Sequence, residues 1–141
     1  MTCQIMKGPS EELPVLVILL GPGEDAGTFL EALGKDAERT TMFSRAASVS
    51  GSLWYDGFPE YCGSHSPAGN VTDVYFSLGS KESRTKNPRM AKVEDSTRAI
   101  FSHMEEDGIE TVFEINSGNH FQDPCGRMAK GIRWLLRNKT K

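Results

Sequence analysis

The side chain best placed to do chemistry is His120, within the stretch EINSGNHFQDP that spans residues 114–124. An apolar run from Thr111 to Ile115 stops at Asn116-Ser117-Gly118-Asn119, His120 follows on the loop, and a helix is expected from about Asp123. A histidine just past the end of a strand stands where open α/β sheets gather their functional groups. Imidazole titrates near neutrality, so it can take a proton from a hydroxyl and return it to a leaving group. Asn116, Gly118 and Asn119 suit the sharp backbone turn that would aim the ring. The usual partner in acyl transfer is a serine on a G-x-S-x-G turn, where small flanking residues relieve a strained strand-to-helix junction. No serine in the 141 residues has glycine both two positions before and two positions after it.

Other chemistry-bearing residues point less far. Cys62 and His65 are metal-capable and three apart, but no second pair accompanies them, so no metal site is expected. Residues 21–27, GPGEDAG, have the glycines of a phosphate loop but no Gly-Lys-Ser/Thr ending, and Glu24 and Asp25 would repel phosphate. No cofactor is expected. Trp54 and Tyr55 follow a strand candidate and read as packing or rim residues.

The elements that would position His120 are legible from periodicity. Pro14 to Leu20 is a continuous run of β-branched residues and leucines, as in a strand buried on both faces, and Phe29, Leu30 and Leu33 give a short helical face after it. Further strands are expected at Ala46–Ser50, Val74–Leu78 and Thr111–Ile115. Met90, Val93, Thr97, Ile100, Phe101 and Met104 form one face of an amphipathic helix over 90–106, with Gly108 at its C-terminal end. The last helix starts with Asp123 as N-cap and Pro124 in the first turn. Met128, Ile132, Leu135 and Leu136 are expected inward, and Arg127, Lys130, Arg133 and Arg137 outward. The long connections Thr40 to Arg45 and Pro59 to Thr72 do not obviously supply further strands. Strands alternating with helices predict an α/β fold, a three-layer αβα arrangement around a short, mostly parallel sheet.

Composition bounds the class. The chain is long enough for one domain over residues 1–141, with residues 1–12 expected as a frayed, flexible end. Charged residues make up 25% and apolar residues 38%, and the net charge is -3 with a pI near 5.6. These values give no general attraction to nucleic acid or anionic lipid. The longest apolar run, Leu13 to Leu20, is too short to span a bilayer, and no signal-peptide pattern surrounds it. Cys3, Cys62 and Cys125 are odd in number and scattered, which suits reduced thiols and a cytoplasmic location.

Three segments together resemble a known family. FSRAASVSGSLWYDGF from Phe43, VYFSLGSKESRTKNP from Val74 and FEINSGNHFQDPCGRMAKGIRWLL from Phe113 are similar to the C-terminal half of esterase-type α/β-hydrolases, the branch that includes enterochelin-esterase-like proteins. The resemblance covers mainly residues 43–137 and implies a partial α/β-hydrolase fold. It also implies acyl transfer from a small-molecule ester by a serine, an acid and a histidine in that chain order. His120 matches the family's catalytic histidine in its Gly-x-His loop. The family's aspartate position is Ser80 here, and Glu82, two residues later, is the carboxylate available to orient the imidazole.

The nucleophile's place is empty in this comparison. Ser50 and Ser52 lie on the strand that follows the nucleophile helix in the family, and about seventy or eighty residues of an ordinary member, including the elbow, have no counterpart. An alternative register sets PVLVILL-GPGEDAG at the elbow, with Glu24 where the serine belongs. Both alignments remove the serine. The resemblance therefore implies either an esterase-like domain with impaired catalysis or a non-catalytic remnant acting as a binding module. An abridged sheet would expose an edge, so self-association is expected.

Overall fold

The computed structural model describes residues 44–67 and 71–137. The described residues form a small αβα domain around a short three-stranded sheet. Strands β1 (Arg45–Val49), β2 (Asp73–Gly79) and β3 (Glu110–Asn116) pair in the order β1-β2-β3, all parallel. Ala47 lies opposite Tyr75, and Tyr75 opposite Val112, so the three strands run in one register from Asp73 and Glu110 upward. The expected strand at Pro14–Leu20 and the helix after it lie outside the described residues, as do residues 1–12.

The central strand β2 is buried along its whole length, the burden a parallel strand carries when helices cover both faces. Its alternate side chains feed two separate layers. Val74 and Phe76 join Ile100 and Ile109 in a core that Leu53, Cys62, Val71, Phe101, Met104 and Phe113 surround. Helices α1 (Phe58–Ser64) and α2 (Val93–Glu106) cover this face, α1 against α2 and α2 against β3. Helix α3 (Pro124–Leu135) covers the other face, against β1 and β2, where Trp134 meets Tyr75 at a centroid distance of 6.0 Å. The two crossovers, β1 to β2 through α1 and β2 to β3 through α2, lie on the same face. Right-handed connections demand this when successive strands are added in one direction.

Several elements differ from expectation in instructive ways. The helix expected from Met90 begins as a 3-10 turn at Met90–Lys92, just past Pro88, and becomes α-helical at Val93; Met90 itself is exposed. Val93, Thr97 and Ile100 face inward as expected. The helix is capped at Asp107, with Gly108 following at φ 79°. The connection 59–72, expected to supply no further strand, supplies none among the described residues and instead holds most of α1, a seven-residue helix with a proline in its first turn. Its seven residues are too few to leave a periodic signature.

Helix α3 departs most. Arg127, expected outward, is 2% exposed, and Leu136, expected inward, is exposed past the helix end. Arg127, Gly131 and Leu135 recur at intervals of four along the buried face. At the lower end of the sheet Arg137 folds back over Trp134, its guanidinium 3.6 Å from the ring centroid, and pairs with Asp73 at 2.9 Å. Asp73 is fully buried and also meets Arg45 at 3.5 Å.

Candidate functional site

The C-terminal ends of β2 and β3 bring together residues far apart in sequence. β2 ends at Gly79, whose carbonyl accepts the Glu82 N–H at 3.0 Å in a tight turn. The turn carries the Glu82 side chain back, so that its Oε1 accepts the Gly79 N–H at 2.6 Å. β3 ends at Asn116, whose carbonyl accepts the Ser80 N–H at 2.7 Å. The loop that follows is tied down by Lys81, whose N–H donates to the Gly118 carbonyl at 2.9 Å.

Two glycines make this close approach possible. A Cβ on Gly79 would lie 2.7 Å from the Gly118 carbonyl oxygen and 2.8 Å from that of Asn119, both backbone atoms. Gly118 has φ 103°, and a Cβ there would meet the Gln122 side chain at 2.4 Å. The His120 loop therefore rests directly on the end of the central strand. His120 Nδ1 lies 3.2 Å from Glu82 Oε2. Asp123, at φ 46°, then starts α3 and accepts the Gly126 N–H at 3.1 Å as N-cap.

The Glu82 side chain is only 5% exposed, so its charge needs partners. Oε1 accepts from Ser50 Oγ at 2.6 Å, from the Gly79 N–H and from Arg127 Nη1 at 3.1 Å. Oε2 faces His120. Burial alone would push the Glu82 carboxyl up, but the hydrogen bonds from Ser50, Gly79, Arg127 and His120 outweigh it and hold the group below the usual glutamate range. An ionised carboxylate only accepts, so the hydrogen on the His120 ring belongs on Nδ1 and Nε2 carries the lone pair. His120 is half exposed, with Phe121 edge-on at 5.0 Å. A carboxylate-oriented imidazole with an accessible Nε2 can act as a general base or acid.

The structure thus brings Glu82 and His120 into contact. Among the described residues no serine hydrogen-bonds to the imidazole: the Ser50 hydroxyl donates to Glu82 Oε1, not to the Oε2 that faces His120. Ser50 sits just past β1 with φ 54°, a left-handed conformation uncommon for a residue with a side chain. Sequence reasoning weighed Ser50 only as a nucleophile and placed Arg127 in solvent. The four-residue spacing of Arg127, Gly131 and Leu135 was the available signal for Arg127; the roles of Ser50 and Gly79 had none.

Beside the dyad, Asn116, Ser117, Gln122, Asp123 and Arg127 line an open, polar depression of about 260 Å³. Ligand pockets usually exceed roughly 300 Å³ and are largely apolar. Among the described residues no group of three His, Cys, Asp or Glu side chains is arranged to hold a metal. His65 instead stacks on Tyr61 with ring centroids 4.1 Å apart, and Cys62 lies against the core. No helix among the described residues is long and apolar enough to cross a membrane.

The described residues form a small α/β fold with a parallel sheet, consistent with the broad α/β-hydrolase-like superfamily, and carry a carboxylate–histidine pair at the C-terminal edge of that sheet. Among curated proteins the chain is similar to the uncharacterized protein YbbA of Bacillus subtilis (strain 168), with 26% identity over 100 residues. That match covers 67% of this chain and 40% of the relative, so the chain spans about two fifths of the relative's length. No family model matches the chain, and no solved structure gives a significant match.

Proposed function

We propose that the chain is part of an esterase-type α/β-hydrolase of the enterochelin-esterase-like branch, holding the acid–histidine half of a serine-hydrolase triad without its nucleophile. The observation that carries this reading is the 3.2 Å contact between His120 Nδ1 and the buried Glu82 carboxylate, at the C-terminal ends of two adjacent parallel strands. Glu82 takes the acid's role and His120 the general base's. The substrate class is a small carboxylic ester. With no G-x-S-x-G serine in the sequence, catalysis is reduced to what binding and an oriented imidazole supply.

The test is to treat the purified chain with a fluorophosphonate probe and to follow hydrolysis of short nitrophenyl esters by wild type and His120→Ala. The expected result is no serine labelling and slow hydrolysis that His120→Ala abolishes. Stoichiometric labelling of a serine would show that a nucleophile exists. Equal rates in both proteins would remove the acid–base role and leave a binding module as the function.

The second reading, a non-catalytic interaction module, is favoured by one observation, the engagement of the Ser50 hydroxyl by Glu82. It goes with self-association through a sheet edge: the outer edges of β1 and β3 are unpaired among the described residues. Size-exclusion chromatography with light scattering should then find a dimer, and a strictly monomeric chain at high concentration counts against it.

A further inference from the structure

Helix α3 contributes a buried cation that touches both members of the dyad. Arg127 has a side chain 3% exposed; its Nη1 donates to Glu82 Oε1 at 3.1 Å, and its Nη2 donates to the His120 backbone carbonyl at 2.9 Å. Its Nε is buried without a hydrogen-bond partner among the described residues. The guanidinium therefore directs both terminal nitrogens at two chain segments that follow different strands, the turn after β2 and the loop after β3.

We infer that Arg127 is a positioning residue that sets the orientation of the His120 imidazole, by fixing the Glu82 carboxylate with one arm and the His120 backbone with the other. The inference rests on the dyad reading of Glu82 and His120. A planar fork with two separated donors can hold two acceptors at a set spacing; an ammonium is a single point charge on a flexible stem. With Oε1 occupied by Arg127, Ser50 and Gly79, the carboxylate cannot rotate without breaking three hydrogen bonds, and Oε2 stays aimed at Nδ1. A cation that merely neutralised Glu82 would need no contact with the His120 carbonyl.

The experiment measures the His120 tautomer from its ring nitrogen-15 shifts, and the rate at which diethyl pyrocarbonate modifies His120, with His65 and His103 as internal references. The proteins are wild type, Arg127→Met, Arg127→Lys and Glu82→Gln, each checked for folding by circular dichroism. Wild type should hold the hydrogen on Nδ1. Arg127→Met should lower the tautomer ratio by roughly tenfold, the equivalent of losing about 1.4 kcal/mol of orientation. It should also change the carbethoxylation rate of His120 alone. Arg127→Lys should give an intermediate ratio.

A folded Arg127→Met with the wild-type ratio overturns the inference, however much stability it loses. If Arg127→Met does not fold, Arg127→Lys decides: a wild-type ratio there shows that the fork is not needed. A wild-type protein with the hydrogen on Nε2, or a Glu82→Gln variant with an unmoved tautomer, sinks the dyad itself. That outcome is distinct from a failure of Arg127.

Discussion

Replacing Glu82 with glutamine removes one charge and changes no atom's position by much, so its consequences can be worked through the hydrogen bonds. Three donors converge on Oε1, from Ser50, the Gly79 N–H and Arg127. The amide oxygen must take that place, because the amide nitrogen cannot accept. The NH2 group then faces His120 Nδ1, which was 3.2 Å from Oε2. Two donors cannot face each other, so the ring must move its hydrogen to Nε2, and its accessible nitrogen loses the basic lone pair. The variant should keep its fold and lose any histidine-dependent hydrolysis. Hydrogen bonds to a charged group stabilise by about 1 kcal/mol more than neutral ones, so three of them predict a loss of roughly 3 kcal/mol. At about 4 °C per kcal/mol for a chain of this size, the melting temperature should fall by roughly 12 °C.

The pH dependence gives this prediction its sharpest form. Glu82 is held below the usual glutamate range in the folded protein, so the unfolded chain takes up its proton first as pH falls. Its stabilisation is complete above the unfolded value, roughly 4.3. It is lost as pH drops through the lower folded value. The gap in denaturation midpoint between wild type and Glu82→Gln should therefore be widest near pH 7 and close in acid. Denaturant titrations at a series of pH values measure it. A variant as stable as wild type at pH 7, or a gap that does not change with pH, would falsify the account of Glu82 as an ionised, hydrogen-bonded carboxylate.

Three further outcomes follow from the packing. Gly79→Ala would drive a methyl group into the Gly118 and Asn119 carbonyls, so it should cost about 1–3 kcal/mol and pull His120 away from Glu82, visible as a changed His120 ring signal; an unperturbed His120 would mean that the loop does not rest on the strand end. Asp73→Ala leaves Arg45 and Arg137 facing a fully buried site without its carboxylate, and a loss of about 3–5 kcal/mol in urea denaturation is expected, with none of it appearing in the His120 signal. Ile100→Ala opens a hole between α2 and β2 and should cost about 2–5 kcal/mol by thermal melting; a loss below 1 kcal/mol would contradict the placement of Ile100 in the core.

Much of this architecture can be read before folding because it is local. The β-branched and aromatic runs at 74–78 and 111–115, the helical spacing from Val93 to Met104 and the Asp123-Pro124 helix start each depend on a few neighbouring residues, and the structure has them within a residue or two. Short α1 was not legible, since seven residues are too few to carry a helical period. Helix α3 was misjudged at its ends for a different reason. Charge argued that Arg127 faces water, but a buried carboxylate on a distant turn gives it a better partner than solvent.

The sequence by itself determined the α/β alternation, the loop that presents His120 and the absence of a G-x-S-x-G serine, because each is written in contiguous residues. Only the tertiary structure decided what surrounds the histidine. Parallel pairing of β2 with β3 sets Gly79 beside Asn116, and that register brings Glu82 to His120 across 38 positions of chain. Pairing of β1 with β2 delivers Ser50 to the same carboxylate, and α3, packed on the opposite face from α2, delivers Arg127. A buried charge must collect its partners from wherever the fold provides them, and no spacing along the chain announces which they will be.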